Sequence, residues 1–119
     1  MTIDRIAQLL QANVLTGQDL LQEDILSACG ADLMSDVLAH DTERMLLLTG
    51  LNNAHVVRTA EMLDIAAVVF VRGKVPGQDI LDMAAKKNIA ILTTKQTLYV
   101  ACGILYGAGL PGGMGLNNG

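Results

Sequence analysis

Three apolar runs, each closed by small or polar residues and followed by a helix-patterned segment, constrain the fold of this chain most. They are Met45-Leu46-Leu47-Leu48-Thr49-Gly50, Val68-Val69-Phe70-Val71-Arg72-Gly73 and Ile89-Ala90-Ile91-Leu92-Thr93-Thr94. Leu46 and Val68 lie 22 positions apart, and Val68 and Ile89 lie 21 apart. That distance accommodates a strand, a turn, about three turns of helix and a return, which is the repeat of a parallel sheet wound from βα units. The expected fold is therefore α/β, a small and mainly parallel β-sheet flanked by helices. Parallel sheets bind ligands outside the carboxyl ends of their strands, so the stops at Thr49-Gly50, Arg72-Gly73 and Thr93-Thr94 are where a site is sought first.

The segments around the repeats fit the same plan. Residues 3–12 place Ile6, Leu9 and Leu10 on one helical face and Asp4, Arg5, Gln8 and Gln11 mostly on the other, as an amphipathic helix requires. Short strands are expected at Asn13-Val14-Leu15-Thr16, before Gly17, and over residues 24–30. Asp32 can cap a helix running through Ala39, with Leu33, Met34, Val37 and Leu38 turned inward. A helix over 54–63 carries Val56, Val57, Ala60 and Leu63 inward and His55, Arg58, Glu61 and Asp64 outward. Pro76 suits the first position of the next helix, whose buried stripe is Ile80, Leu81, Ala84 and Ala85 and whose end is Lys86-Lys87-Asn88. A last helix reaches Tyr106 with Leu98, Ala101, Cys102 and Leu105 at helical spacing. These elements make one domain over residues 1–106. Residues 107–119 are rich in glycine, whose ordering entropy little buried side chain can offset, and a mobile tail is expected there.

Composition narrows the partners. A chain of 119 residues closes a single core. Hydrophobic residues make up 51% and charged residues 17%, so some apolar surface is expected to meet a second subunit, most simply in a homodimer. The formal net charge is −4, with one Phe, two Tyr and no Trp. A nucleic-acid surface needs clustered cations or aromatic platforms, so nucleic acid is not an expected partner. No apolar run approaches the ~20 residues of a membrane helix. Cys29 and Cys102 stand 73 positions apart without a leader-like segment, which points to a cytoplasmic protein without a disulfide scaffold.

The order of elements resembles the DRTGG domain. The residues that carry the resemblance are the opening helix leading into Val14-Leu15-Thr16-Gly17, the segment from Asp32 to Ala39, the strand end Leu47-Leu48-Thr49-Gly50, and Gly73 with Pro76. The likeness extends from Ile3 to Tyr106. It implies a fold similar to the amino-terminal domain of HPr kinase/phosphorylase and, more distantly, to that of the muramyl ligases. Where family members tend to follow the strand-end glycine with Asp-Arg, this chain has Leu51-Asn52. Where they tend toward Thr-Gly-Gly after the next strand, it has Val71-Arg72-Gly73. The family occurs beside CBS domains, in some phosphotransacetylases and alone, and stand-alone members are associated with hydrogenase and electron-transfer systems. The resemblance thus implies a regulatory or assembly role, with a metabolic or electron-transfer enzyme as partner. The phosphate-binding Gly-x-x-x-x-Gly-Lys-Ser/Thr loop of the full HPr enzyme is missing, because Gly73-Lys74 continues into Val75, so kinase activity is not expected.

Three polar turns supply the candidate ligand site. Thr49, Gly50, Asn52, Asn53 and His55 form one, Arg72, Gly73 and Lys74 the second, and Thr93, Thr94 and Lys95 the third. Brought to one edge, their helix amino ends and three cations favour a small anion such as a phosphate or carboxylate, against the plainer account of ordinary turn and cap chemistry. Asp32, Asp36 and His40, at i, i+4 and i+8, could share a helix side and hold a metal, but a capping Asp and a solvated face explain them more simply. Cys29 and Cys102 lack a Cys-x-x-Cys spacing and read as small apolar core residues rather than cluster ligands. No cofactor is expected. The reading that follows is a non-catalytic regulatory or assembly module, dimeric, binding a partner protein, a small anionic metabolite, or both. The alternatives are a small enzyme acting on a phosphorylated or carboxylated substrate, with His55 as acid or base and Arg72 or Lys95 as clamp, and a metal or cluster carrier.

Overall fold

Each apolar run is too short for a stable helix and too continuous for a half-exposed strand, and each forms a strand buried on both faces. The computed structural model describes residues 1–39 and 43–113. The strands are β1 (Asn13–Thr16), β2 (Ser27–Gly30), β3 (Met45–Thr49), β4 (Ala67–Phe70) and β5 (Ala90–Thr93), and they make one sheet in the order β1-β5-β4-β3-β2. Strands β2 to β5 are parallel, whereas β1 is antiparallel to β5. The helices are α1 (Ile3–Leu10), α2 (Met34–Val37), α3 (Ala54–Met62), α4 (Gln78–Lys86) and α5 (Leu98–Gly107).

Alternation along the strands separates two cores. Cys29, Met45, Leu47, Val68, Phe70 and Ile91 face one side, where Met34 and Val37 of α2, Val56, Val57 and Ala60 of α3, and Ile80 and Ala84 of α4 cover them. Leu46, Leu48, Ala67, Val69, Ala90 and Leu92 face the other, beneath Ile3, Ile6 and Leu10 of α1 and Ala101 and Leu105 of α5. The distribution of helices follows from handedness. From β2 to β5 the chain steps across the sheet in one direction, so right-handed crossovers put α2, α3 and α4 on one face. After β5 the chain changes face, and α5 returns over β2 and β3.

Several local expectations are corrected. The helix expected from Asp32 to Ala39 is a single turn, Met34–Val37, with Leu33 at its N-cap and no side-chain cap. Leu33 and Leu38 are exposed rather than inward. The strand expected over 24–30 begins at Ser27, because Asp24 and Ile25 bond to the start of the chain instead: Asp24 bridges Thr2, and the Ile25 amide donates to the Met1 carbonyl at 2.6 Å. Helix α4 starts at Gln78 with Gly77 at the N-cap, so Pro76 precedes the cap, and Ala85 is exposed. Of the glycine-rich segment expected as a mobile tail, residues 114–119 lie outside the described residues; within the rest, Leu110 is buried and residues 111–113 lie along the edge of β2. There the Ala28 amide donates to Pro111 at 3.0 Å and the Gly113 amide to the Ala28 carbonyl at 3.2 Å. This pairing covers an edge that would otherwise present unpaired backbone groups.

Glycine is needed at the turn out of β1. Gly17 has φ of 90°, and a Cβ there would stand 2.7 Å from the Ala90 Cα at the start of β5. Gly17→Ala therefore combines a left-handed backbone with a clash against backbone, at a cost of ~2 kcal/mol or more. In urea unfolding its midpoint should fall with an unchanged slope. An unaltered midpoint would mean that the turn does not approach β5 this closely.

Candidate functional site at the strand carboxyl ends

The register aligns Thr49, Phe70 and Thr93 across three adjacent parallel strands, so the three polar turns leave the sheet along one rim. Two of the helices that follow carry side-chain caps there. Asn53 Oδ1 accepts from the His55 amide at 2.9 Å, and Thr97 Oγ1 from the Val100 amide at 3.3 Å. Because α4 and α5 depart to opposite faces, the ends of β4 and β5 straddle the place where an open α/β sheet forms its crevice.

That crevice is stitched shut by backbone. Arg72 and Gly73 have φ of 58° and 71°, and the Lys74 amide donates to the Val71 carbonyl at 3.2 Å. Positive φ at both central residues is the pattern of a type I′ turn. The turn lies across the exit of β5: the Arg72 amide donates to the Gln96 carbonyl and the Gly73 amide to the Thr94 carbonyl, both at 2.8 Å. Thr93 Oγ1 donates to the Lys74 carbonyl at 2.6 Å, and Asn52 Nδ2 donates to the Val75 carbonyl at 3.3 Å, which ties in the turn after β3.

A fourth tip completes the rim. Asp32, two residues beyond β2, accepts at Oδ1 from the Gly50 amide at 2.7 Å and from Thr49 Oγ1 at 3.1 Å. A Cβ placed on Gly50 would meet Arg72 Nη2 at 3.1 Å and Asp32 Oδ1 at 3.5 Å. The Asp32 carboxylate and the Arg72 guanidinium thus flank Gly50 without forming an ion pair. Sequence reasoning placed Asp32 on a helix cap and missed this role. The available signal was that the strand before Asp32 ends at the same rim as the other three.

The predicted residues divide by what their side chains do. Thr49, Asn52, Asn53, Thr93 and Thr94 are engaged in the scaffold, with Thr94 Oγ1 donating to the Leu10 carbonyl at 2.7 Å. Gly50 and Gly73 contribute backbone. Arg72, Lys74, Lys95 and His55 are exposed, and within the described residues their side chains make no hydrogen bond or ion pair. The rim therefore offers cationic groups on a rigid frame of turns, the arrangement suited to holding an anion.

Other candidate chemistry is less well placed. Among the described residues no group of three His, Cys, Asp or Glu side chains could hold a metal ion. Asp32 is spent on β3, and His40 lies outside the described residues. Cys29 faces the α2–α4 side of the sheet, whereas Cys102 lies on the α5 side against Gly30. Burial pushes both thiols up from the ordinary 9.0, which suppresses the thiolate that nucleophilic chemistry needs. A cavity of about 650 Å³ opens at the opposite, amino-terminal edge of the sheet. Four of its charged side chains are paired with one another, Arg44 with Glu23 at 3.2 Å and Lys87 with Glu61 at 3.1 Å.

Comparison with known proteins places this geometry. Residues 5–106 match the model of the DRTGG domain. A solved structure described as the CBS and DRTGG domains of the regulatory region of Clostridium perfringens pyrophosphatase, complexed with activator, diadenosine tetraphosphate, has the same fold with a TM-score of 0.71 at 18% identity. The match covers 98% of this chain and 51% of that one, so this chain spans about half of its neighbour's length. No curated protein sequence matches it.

Two outcomes follow from the site. Asp32→Ala deletes charge-assisted bonds at a solvent-exposed position and should cost about 1 to 2 kcal/mol in chemical denaturation, whereas Asp32→Asn, which keeps the acceptor, should cost less. The raised thiols predict slow alkylation by iodoacetamide at pH 8 in the folded protein and fast alkylation in urea. The sign for stability is fixed: unfolded thiols ionise near 9.0 while the folded ones stay protonated. Stability held below pH 9 should therefore decline above it.

Proposed function

Given that this chain belongs to the DRTGG domain family, we propose that it is a non-catalytic regulatory or assembly module that works as a dimer and binds a small anionic metabolite at the carboxyl edge of its sheet. The observation that carries this reading is Arg72. Its backbone is held in the left-handed region, its guanidinium is set over Gly50, and Lys74 and Lys95, on the same and the next turn of the rim, are exposed. The positive φ belongs to the turn that ties β4 to β5; what supports binding is that this rigid turn presents a guanidinium with no partner of its own among the described residues. The anion would meet Arg72, Lys74 and Lys95, with His55 at the side of the same rim.

The neighbouring pyrophosphatase region, with its dinucleotide activator, suggests phosphate-bearing nucleotides as the first ligands to try. A metabolic or electron-transfer enzyme is the proposed protein partner, in the cytoplasm; no helix of the described residues is long and apolar enough to cross a membrane. An enzymatic reading would need a group that orients His55, and among the described residues no carboxylate bonds to its imidazole.

Arg72→Gly separates binding from folding. Glycine accepts positive φ without penalty, so this variant should melt no lower than the wild type. In a thermal-shift panel of nucleotides and phosphorylated metabolites, a ligand at 100 times its Kd should add about 2.7 kcal/mol to the wild type and nothing comparable to Arg72→Gly. A panel without any stabilising anion, or a ligand indifferent to Arg72, would remove the proposed site.

A further inference from the structure

Helix α5 carries no charged residue along its whole length, Leu98-Tyr99-Val100-Ala101-Cys102-Gly103-Ile104-Leu105-Tyr106-Gly107. An apolar helix is ordinarily buried all round. Only one side of α5 is: Ala101 and Leu105 pack on the sheet, while Tyr99 is 88% exposed, Tyr106 74% and Val100 43%. Between the tyrosines, Gly103 leaves open space, with no atom within 4 Å of where its Cβ would be. Beside this flank runs an apolar groove of about 420 Å³ between α5, the edge of β2 and residues 110–112. Tyr99 and Tyr106 stand on its wall, about 10 Å apart along the helix at 1.5 Å per residue.

We infer that this face is the contact between two copies of the chain, packed α5 against α5 about a two-fold axis near Gly103. The inference rests on the dimeric reading given above and assigns its surface. Charge favours a second copy. Each copy carries a net charge of −4, so two copies repel over most of their surfaces, but neither α5 nor any residue lining the groove bears a carboxylate or a cation. Shape favours it as well. A two-fold contact needs one patch that is complementary to itself, and here protruding tyrosines and an apolar groove adjoin on one face. Area is consistent: tyrosines bury ~150 to 250 Å² each, so two per copy at these exposures contribute on the order of 600 Å². That is about half of the ~1,200 Å² at which specific interfaces begin, and Val100, Gly103 and the groove walls supply more. The two glycines let the helix backbones approach closely.

The test is sedimentation velocity over a tenfold range of concentration. The wild type should run at about twice its 12.6 kDa. Gly103→Glu places like charges across the axis, in space that is open in the single copy, and should run as a folded monomer with its circular dichroism retained. Tyr106→Glu, at an exposed position, should do the same and stands in should the glycine variant fail to fold. Met62→Glu, on the far face and 69% exposed, should remain dimeric. A wild type that is dimeric and insensitive to both α5 variants overturns this interface while leaving the dimeric reading intact. A wild type that is monomeric throughout overturns both, and leaves the face to a different protein or to the chain's own residues 114–119.

Discussion

The structure depends on three central strands that have no solvent side. Leu46, Leu47, Leu48, Ala67, Val68, Val69, Phe70, Ala90, Ile91 and Leu92 are all buried, so β3, β4 and β5 can be satisfied only inside a sheet covered on both faces. Burial also fixes register, since a shift of one residue would exchange every side chain between the two cores. Thr49, Phe70 and Thr93 are consequently level, and the turns that follow them are neighbours by necessity. The rim is a product of core packing before it is a product of any ligand.

The same constraint explains why much of the rim is occupied by its own chemistry. Turns pressed together at the end of a buried sheet must bond their backbone groups to one another. The left-handed turn at Arg72 and Gly73 does this for β4 and β5, and Thr93, Asn52 and Asp32 do it for their neighbours. Hydroxyls and amides that look available in a list of polar residues are therefore structural. Long cations on the outer side of the turns keep their heads in water. A site of this kind gains its rigidity from the fold and its charge from few side chains.

The two faces of the sheet are unequal. The α2–α4 face is closed by successive crossovers, each of which presents charged residues outward, such as Arg58 and Glu61 on α3 or Asp79 and Asp82 on α4. The other face is closed by α1, which carries Asp4 and Arg5, and by the uncharged α5 laid back over β2 and β3. A chain with 17% charged residues does not solvate every helix equally, and α5 is the one long helix that carries no charge among the described residues.

From sequence alone, the strand and helix positions of the three repeats were legible, because continuous apolar runs, their spacing and the inward pattern Val56, Val57 and Ala60 are local properties. So was the gathering of the polar turns at one edge, which parallel winding dictates. The antiparallel joining of β1, the single-turn length of α2, the reach of Asp32 to Gly50 and the docking of residues 110–113 on β2 were not. Apart from the length of α2, each depends on a partner far away in the chain, as Asp32 does on Gly50, 18 residues on; the bond of Thr94 to a carbonyl 84 residues back is of the same kind. Periodicity encodes which side of an element is apolar. Only the folded chain decides which polar groups meet, and so which of the candidate residues are held by the scaffold and which stand exposed without a partner.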